Sequence, residues 1–213
     1  MKSKRVHFSV VVLAFFWSIA TVSAQDQAPA PSFKDGDTWQ INRTAKGQRT
    51  SSSERVTGIY DLVFSQGQVK VYEVNGNQKT EMDIKSEGPG SGLTSLIGIQ
   101  EDRPSLNFPL SVGQKWSYEY VNRPIGARED VKFFVEVTVS GIEQVTTPAG
   151  SFKAYKLVRN QQRRAGGRTV KWISTTTTYF YSPDTKSVVK STTVSDDGPG
   201  TTDTELIKFT PGN

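Results

Sequence analysis

The chain has 213 residues, with 26 Lys and Arg against 21 Asp and Glu, one histidine and no cysteine. Without cysteine, neither a disulfide nor a thiolate zinc site can form. The one histidine, His7, lies near the N-terminus. If the N-terminal segment is removed, the remaining chain has no histidine, so Ser-His-Asp catalysis, Cys-His catalysis and imidazole zinc sites are excluded.

The first 24 residues have the pattern of a secretory signal peptide. Basic residues precede an apolar run from Phe8 to Trp17, and Val22-Ser23-Ala24 is a small-residue cleavage site before Gln25. The run is short for a bilayer-spanning helix, so cleavage is favoured over the alternative, a retained anchor helix. We therefore expect an exported protein, periplasmic or secreted. After cleavage it would not span the membrane and, lacking cysteine, would not be lipid-anchored.

Cleavage would also change the charge of the protein. Three of the basic and none of the acidic side chains lie in the first 24 residues, so the net charge falls from +5 to +2. Such a small excess gives no reason to expect nucleic acid as a partner. Residues 25–32, which include Pro29 and Pro31, predict a disordered leader.

From residue 33 onward the pattern is typical of antiparallel β-structure. Apolar and polar residues alternate from Val131 to Val139, which predicts a half-buried strand. Similar runs rich in β-branched and aromatic residues are separated by turn sequences such as Asn75-Gly76 and Ser182-Pro183-Asp184. Residues 88–107, which begin with Gly-Pro-Gly-Ser-Gly, predict a linker with at most one short helical turn.

Two stretches of the chain resemble each other. Val56-Thr57-Gly58-Ile59 matches Val139-Ser140-Gly141-Ile142, and the same offset pairs Gly67 with Gly150 and Tyr72 with Tyr155. We read residues 33–87 and 108–213 as two units, each with a tryptophan strand, a strand ending in Gly-Ile, a turn and a third strand. Chance similarity between hairpins is the alternative. The structural motif comprises Trp39, Trp116, Gly58, Gly141, Pro148, Gly150, Phe152 and Tyr155.

The fold expected from these patterns is all-β. Two tandem, related antiparallel units would form a sandwich or a curved, partly open barrel. The pattern leaves open whether the two units share one core.

Three segments carry a resemblance to a known family. The run from Phe108 to Trp116 resembles the entry motif of TapB-like exported bacterial proteins, relatives of a domain-of-unknown-function group of β-rich envelope proteins. Thr147–Leu157 and Tyr179–Asp184, the latter followed by Val188-Val189-Lys190, are similar to two further signatures of this group. The resemblance implies a bacterial cell-envelope protein and no catalytic residue.

A basic cluster is the first candidate site. Between Glu143 and Asp184 the chain has basic residues and no acidic ones, and five of them surround the predicted turn Ala165-Gly166-Gly167. Guanidinium groups bind phosphates and carboxylates well, so an anionic envelope lipid or glycan is a candidate partner. The interpretation favoured from the sequence is a solvated hairpin whose charges protect a sheet edge, because basic residues at strand edges need no ligand. The cluster comprises Arg159, Arg163, Arg164, Arg168 and Lys171.

Aromatic residues and carboxylates are the other candidates. Aromatic rings could stack on sugars or line a lipid pocket, but the tryptophans, Trp172 among them, are expected in the core. A glycosidase needs two carboxylates across a cleft, and alternation places Glu119 and Glu136 on the solvent side. Glu129, Asp130 and Glu143 are the remaining acids of this region.

We therefore expect a non-catalytic envelope protein without a cofactor that binds a lipid, a glycan or a protein partner. A carboxylate-dependent hydrolase of cell-wall glycans is the alternative, and the sequence does not predict the oligomeric state.

Overall fold

The computed structural model describes residues 27–47, 57–82, 93–97, 105–122, 130–165, 171–196 and 200–213. The predicted signal peptide, the turn at residues 166–167, Arg168, Glu129 and most of the predicted linker lie outside these ranges. No helix in the described part of the chain is long and apolar enough to cross a bilayer.

The all-β prediction is confirmed, since the described residues form twelve strands and one single-turn 3-10 helix at Thr94–Ile97. The strands are β1 (Gln27–Ala28), β2 (Thr38–Lys46), β3 (Gly58–Ser65), β4 (Gln68–Asn75), β5 (Gln78–Glu81), β6 (Leu110–Ser111), β7 (Lys115–Asn122), β8 (Val131–Thr147), β9 (Gly150–Ala165), β10 (Lys171–Ser182), β11 (Ser187–Ser195) and β12 (Thr201–Thr210).

Ten of the strands form one antiparallel sheet in the order β5-β4-β3-β2-β12-β11-β10-β9-β8-β7. The sheet is open within the described residues, because β5 and β7 are its two edges and do not pair with each other. Strands β1 and β6 form a separate two-stranded sheet. Consecutive strands joined by short turns are neighbours throughout, as the predicted hairpins require.

Burial alternates along β8, which identifies the two faces of the sheet. Phe133, Val135, Val137 and Val139 are all buried, whereas Lys132 and Glu136, at positions of the opposite parity, are exposed. The pleat of a strand sends successive side chains to opposite sides, so one face packs on the core and the other meets solvent. We call them the core face and the outer face, and for β7–β10 the assignment follows from the strand register.

The two predicted units contribute to one sheet and one core. Each forms a three-stranded meander, β2-β3-β4 and β7-β8-β9, and β12 from the second unit pairs with β2 from the first. Trp39 and Leu62 belong to the same buried cluster as Val139 and Leu157. The question that the sequence left open, whether the halves share a core, is thereby answered. Their origin by duplication stays a prediction.

The Gly-Ile pairs do not end strands, contrary to the expectation. Gly58 begins β3, and β8 continues through Gly141 to Thr147 with a shift of register between Val139 and Gly141. A glycine accommodates such a bulge because it has no side chain to displace.

The turns that close the two matching hairpins contain glycines in the left-handed region. Gly67 has φ 75° and Gly150 has φ 135°. In the second hairpin Pro148 and Ala149 form the turn, and the amide of Ala149 donates to the carbonyl oxygen of Leu206 at 3.3 Å. This bond attaches the tip of the β8–β9 hairpin to β12. Further along β9, Phe152 is half-buried and Tyr155 is buried.

The N-terminal end of the described chain is ordered where a disordered leader was expected. Gln27 and Ala28 pair with Ser111 and Leu110, and Ala28 is buried. The backbone hydrogen bonds and the burial of the Ala28 methyl group offset the conformational entropy that this segment loses on ordering. Residues of the predicted linker also reach the core, since Leu93, Leu96 and Ile97 are buried at the 3-10 helix.

Candidate functional site

The predicted basic cluster is divided between the two faces of the sheet. In β9, Arg159 and Arg163 alternate with the outer residues and lie on the core face, whereas Arg164 is exposed on the outer face. Lys171 begins β10 beside Ala165, and Arg168 lies outside the described residues. Because side chains on a strand alternate with period two, five basic residues around a hairpin cannot all project from one face. Among the residues of the cluster whose side chains the structure describes, Arg159 and Arg163 lie on the same face.

Arg159 is enclosed by phenol and amide groups. Its Nε donates to the hydroxyl oxygen of Tyr118 at 3.3 Å, and its Nη2 donates to Oε1 of Gln161 at 2.6 Å. The hydroxyl group of Tyr120 donates to the same Oε1 at 2.8 Å. These bonds hold the plane of the guanidinium group in one orientation.

The positive charge of Arg159 has no carboxylate partner among the described residues. Burial lowers the pKa of Arg159, but the hydroxyl groups of Tyr179, Tyr118 and Tyr120 together raise it by more. The group is charged at neutral pH in any case. A half-buried cation whose hydrogen bonds go to neutral groups retains its attraction for an anion, since no carboxylate of the described residues pairs with it.

A row of hydroxyl groups continues from Arg159 across the core face. The strand register aligns Arg159 with Thr177, Thr177 with Thr193, and Thr193 with Thr202. Thr177 and Thr202 are buried, and the hydroxyl oxygens of Thr177 and Thr193 lie 3.0 Å apart. A purely apolar core would place aliphatic side chains here. We call Arg159, Tyr118, Gln161 and this threonine row the core-face site.

The threonines were not singled out from the sequence, although a signal was present. Thr175 to Thr178 are consecutive, so alternation places two of them on each face. The buried neighbours Ile173 and Tyr179 have the same parity as Thr175 and Thr177. That parity predicts hydroxyl groups on the core face.

Trp172 corrects the expectation that the tryptophans belong to the core. Trp39 is buried as expected and Trp116 is half-buried, but Trp172 is 51% exposed. It lies on the outer face beside Phe134, with 5.8 Å between the ring centroids and 57° between the ring planes. Since Ile173 occupies the core face, the preceding residue must face outward.

Next to Phe134 the outer face has a depression of about 400 Å³. Strands β7, β8 and β9 contribute its walls, which consist mainly of Ser117, Glu119, Phe134, Glu136, Asn160 and Gln162.

The carboxylates lie on the solvent side, as alternation predicted. Glu119 and Glu136 line the depression, and Glu119 forms an ion pair of 2.6 Å with Lys132. Glu143 pairs with Lys156 at 2.9 Å, and Asp130 is exposed. A glycosidase places its two carboxylates across a cleft, whereas Glu119 and Glu136 are both exposed. The described residues contain no group of His, Asp or Glu arranged to hold a metal ion.

Comparisons with known proteins show weak similarity at the level of structure. No protein-family model matches the chain, and no curated protein matches it. A protein named as a lipoprotein, from Parabacteroides distasonis, has 12% identity and a TM-score of 0.44, covering 87% of this chain and 100% of its own. A protein named as exported, with a YmcC-like fold, from Bacteroides fragilis, has 12% identity and a TM-score of 0.36 over 88% and 100%. The hypothetical lipoprotein YmcC from Escherichia coli has 11% identity and a TM-score of 0.40 over 83% and 86%.

Proposed function

We propose that this protein is an exported, non-catalytic binding protein of the bacterial envelope, and that its core-face site holds an anionic group of an envelope component. The observation that supports this proposal is the charge of Arg159, which is oriented by Tyr118 and Gln161 without a carboxylate partner among the described residues. Export is supported by the sequence of the first 24 residues.

The geometry favours an oxyanion, such as a phosphate or a carboxylate, as the bound group. Guanidinium presents five donors in a planar fork that matches the oxygens of either group. Two of those donors are directed at Tyr118 and Gln161, which leaves the others for a ligand. An envelope lipid headgroup and an acidic glycan both carry such oxygens.

Aromatic residues beside Arg159 provide an apolar wall for the remainder of the ligand. The rings of Tyr118 and Tyr120 stack at 6.3 Å, and those of Tyr120 and Phe133 stack at 4.7 Å with 4° between their planes. Pockets that bind small molecules combine such walls with a few oriented polar groups.

The rival hypothesis, a carboxylate-dependent hydrolase of cell-wall glycans, is favoured by one observation only. Glu119 and Glu136 line the same depression of the outer face. Against it, Glu119 and Glu136 are both exposed on the outer face, and Glu119 forms a surface ion pair with Lys132. We therefore retain the binding role.

The test is to purify the protein from the envelope fraction of cells that produce it and to record its native mass spectrum. We expect an added mass that dissociates on activation and that fragments to a phosphate- or carboxylate-bearing species. The Arg159→Gln variant, purified in parallel, should carry much less of it. A wild-type protein that is empty after gentle purification, or a variant that is equally loaded, contradicts the proposal.

A further inference from the structure

Trp172 is a large apolar side chain at an exposed position of the sheet. Its side chain lies on the outer face of β10, where its backbone partner is the exposed Arg164. Exposed apolar residues are normal when they are scattered singly, but the ring of Trp172 contacts that of Phe134 across β9. The two rings therefore lie side by side on the outer face, and the ammonium group of Lys132 lies 4.9 Å from the centroid of the Phe134 ring.

The polar groups beside this surface offer both hydrogen-bond donors and acceptors. Glu119 and Glu136 accept, whereas Ser117, Asn160 and Gln162 can do both. The Oδ1 atom of Asn160 accepts a bond from the hydroxyl group of Thr176 at 3.0 Å, which leaves its amide NH₂ available as a donor. The volume of the depression, about 400 Å³, is in the range of small-molecule sites.

These features match the chemistry of a saccharide. A pyranose ring has C–H bonds on its faces, which suit an aromatic ring, and hydroxyl groups around its edge, which need paired donors and acceptors. A lipid tail would leave the polar groups of the depression unsatisfied. An anionic ligand would be repelled by two carboxylates, of which, among the described residues, only Glu119 has a cation, Lys132, within an ion pair.

We propose that Trp172, Phe134 and the depression between β7 and β9 form a binding site for an uncharged or amino-sugar oligosaccharide. The exposed ring of Trp172 stacks on a sugar ring with Phe134 beside it, and Asn160, Gln162 and Glu136 bond to the sugar hydroxyl groups. This outer-face site is separate from the core-face site, since Asn160 and Arg159 are consecutive in β9 and face opposite ways. It neither requires nor excludes an anion at Arg159.

The test is binding of the full-length protein to an immobilised panel of chito-, cello-, malto- and galacto-oligosaccharides, followed by titration with the best-retained sugar. We expect at least one to be retained, and Trp172→Ala to weaken its binding by about tenfold, because the variant loses the ring on which the sugar stacks. Trp172→Phe should retain most of the binding. Val194→Ala is the matched control, since Val194 is an exposed apolar residue on β11, and it should bind as wild type.

Folding is checked by thermal unfolding of each variant, which should be unchanged because the side chains are exposed. Arg159→Gln should also leave saccharide binding unchanged, which separates this site from the core-face site. The proposal is overturned if no sugar of the panel is retained, or if Trp172→Ala binds as tightly as wild type. Cleavage of a retained sugar, read by mass spectrometry, would also overturn it, because the site would then be an active site.

Discussion

The ammonium group of Lys186 lies 2.7 Å from the carboxylate of Asp37, although the two residues are 149 positions apart in the chain. Asp37 is completely buried and also accepts bonds from the backbone amides of Lys34 at 2.9 Å and Gly212 at 2.8 Å. One carboxylate thus joins the segment before β2, the turn between β10 and β11, and the end of the chain. The sheet is tied together at its centre, where β2 and β12 are neighbours.

The first prediction concerns the pH dependence of stability. Burial raises the pKa of Asp37, but hydrogen bonds from Lys186, Gly212 and Lys34 and the charge of Lys186 together lower it by more. A carboxyl group with a lowered pKa in the folded state stabilises the fold fully above its unfolded pKa of about 4. That stabilisation is lost as the pH falls through the lower, folded pKa. Urea unfolding between pH 7 and pH 2 should show this loss.

Asp37→Asn provides the matching test. We expect it to reduce the free energy of unfolding at pH 7 by about 3 kcal/mol, because it removes one partner of a buried ion pair. The loss of unfolding free energy between neutral and acid pH should be correspondingly smaller in this variant than in the wild-type protein. If the variant and the wild-type protein lose stability equally between pH 5 and pH 2, the role assigned to Asp37 is incorrect.

The second prediction concerns the two glycines of the second hairpin. Gly150→Ala should lower the free energy of unfolding by about 1 to 2 kcal/mol, because its φ of 135° is one that side chains resist. Gly141→Ala is the control, since no atom lies within 4 Å of the position its Cβ would take. It should be neutral or stabilising by a few tenths of a kcal/mol. If denaturant unfolding shows the same change in stability for Gly150→Ala and Gly141→Ala, the turn conformation assigned to Gly150 is incorrect.

The third prediction distinguishes the buried from the exposed tryptophan. The indole Nε1 of Trp39 donates to the carbonyl oxygen of Thr185 at 2.6 Å in a buried setting. Trp39→Phe should therefore cost about 2 to 4 kcal/mol, from the smaller ring and the unpaired carbonyl group. Trp172→Phe should change stability by no more than about 0.5 kcal/mol, because the side chain is exposed. Thermal or urea unfolding of both variants measures these losses. A larger loss of stability for Trp172→Phe than for Trp39→Phe would contradict the assignment of the core.

Part of this fold follows from local pattern. The alternation from Phe133 to Val139 predicts strand β8 and its buried face, because each side chain's burial depends on the parity of its position. The left-handed glycines at 67 and 150 follow from turn chemistry. The same parity rule, applied to Ile173 and Tyr179, predicts the exposure of Trp172, which the general preference of tryptophan for the core obscured.

The remaining features depend on contacts between distant residues. The pairing of β12 with β2 and the ion pair of Lys186 with Asp37 join opposite ends of the chain, and no local period encodes them. The core-face site also depends in part on a contact between residues that are far apart in the sequence. Arg159 was predicted as one of five basic groups around a turn. Gln161 lies two residues along the same strand, but Tyr118 reaches Arg159 only because β7, β8 and β9 are neighbours in the sheet.

The fourth prediction concerns Arg159. Its replacement by glutamine removes the charge and leaves a shorter side chain whose amide can still form hydrogen bonds, so the fold should be retained. Arg164→Gln is the matched control, since Arg164 belongs to the same strand but faces solvent. Arg159→Lys keeps the charge without the planar fork and should bind an oxyanion with intermediate affinity.

The most direct measurement is calorimetric titration of the protein and these variants with two probes, monomeric dihexanoyl phosphatidylglycerol and trigalacturonic acid. They present a lipid phosphate and a glycan carboxylate, respectively. We predict that wild type binds at least one of them, that Arg159→Gln weakens this binding by about tenfold or more, as the loss of a charge-assisted hydrogen bond implies, and that Arg164→Gln leaves it unchanged. Failure of wild type to bind either probe, or equal binding by Arg159→Gln, would contradict the account.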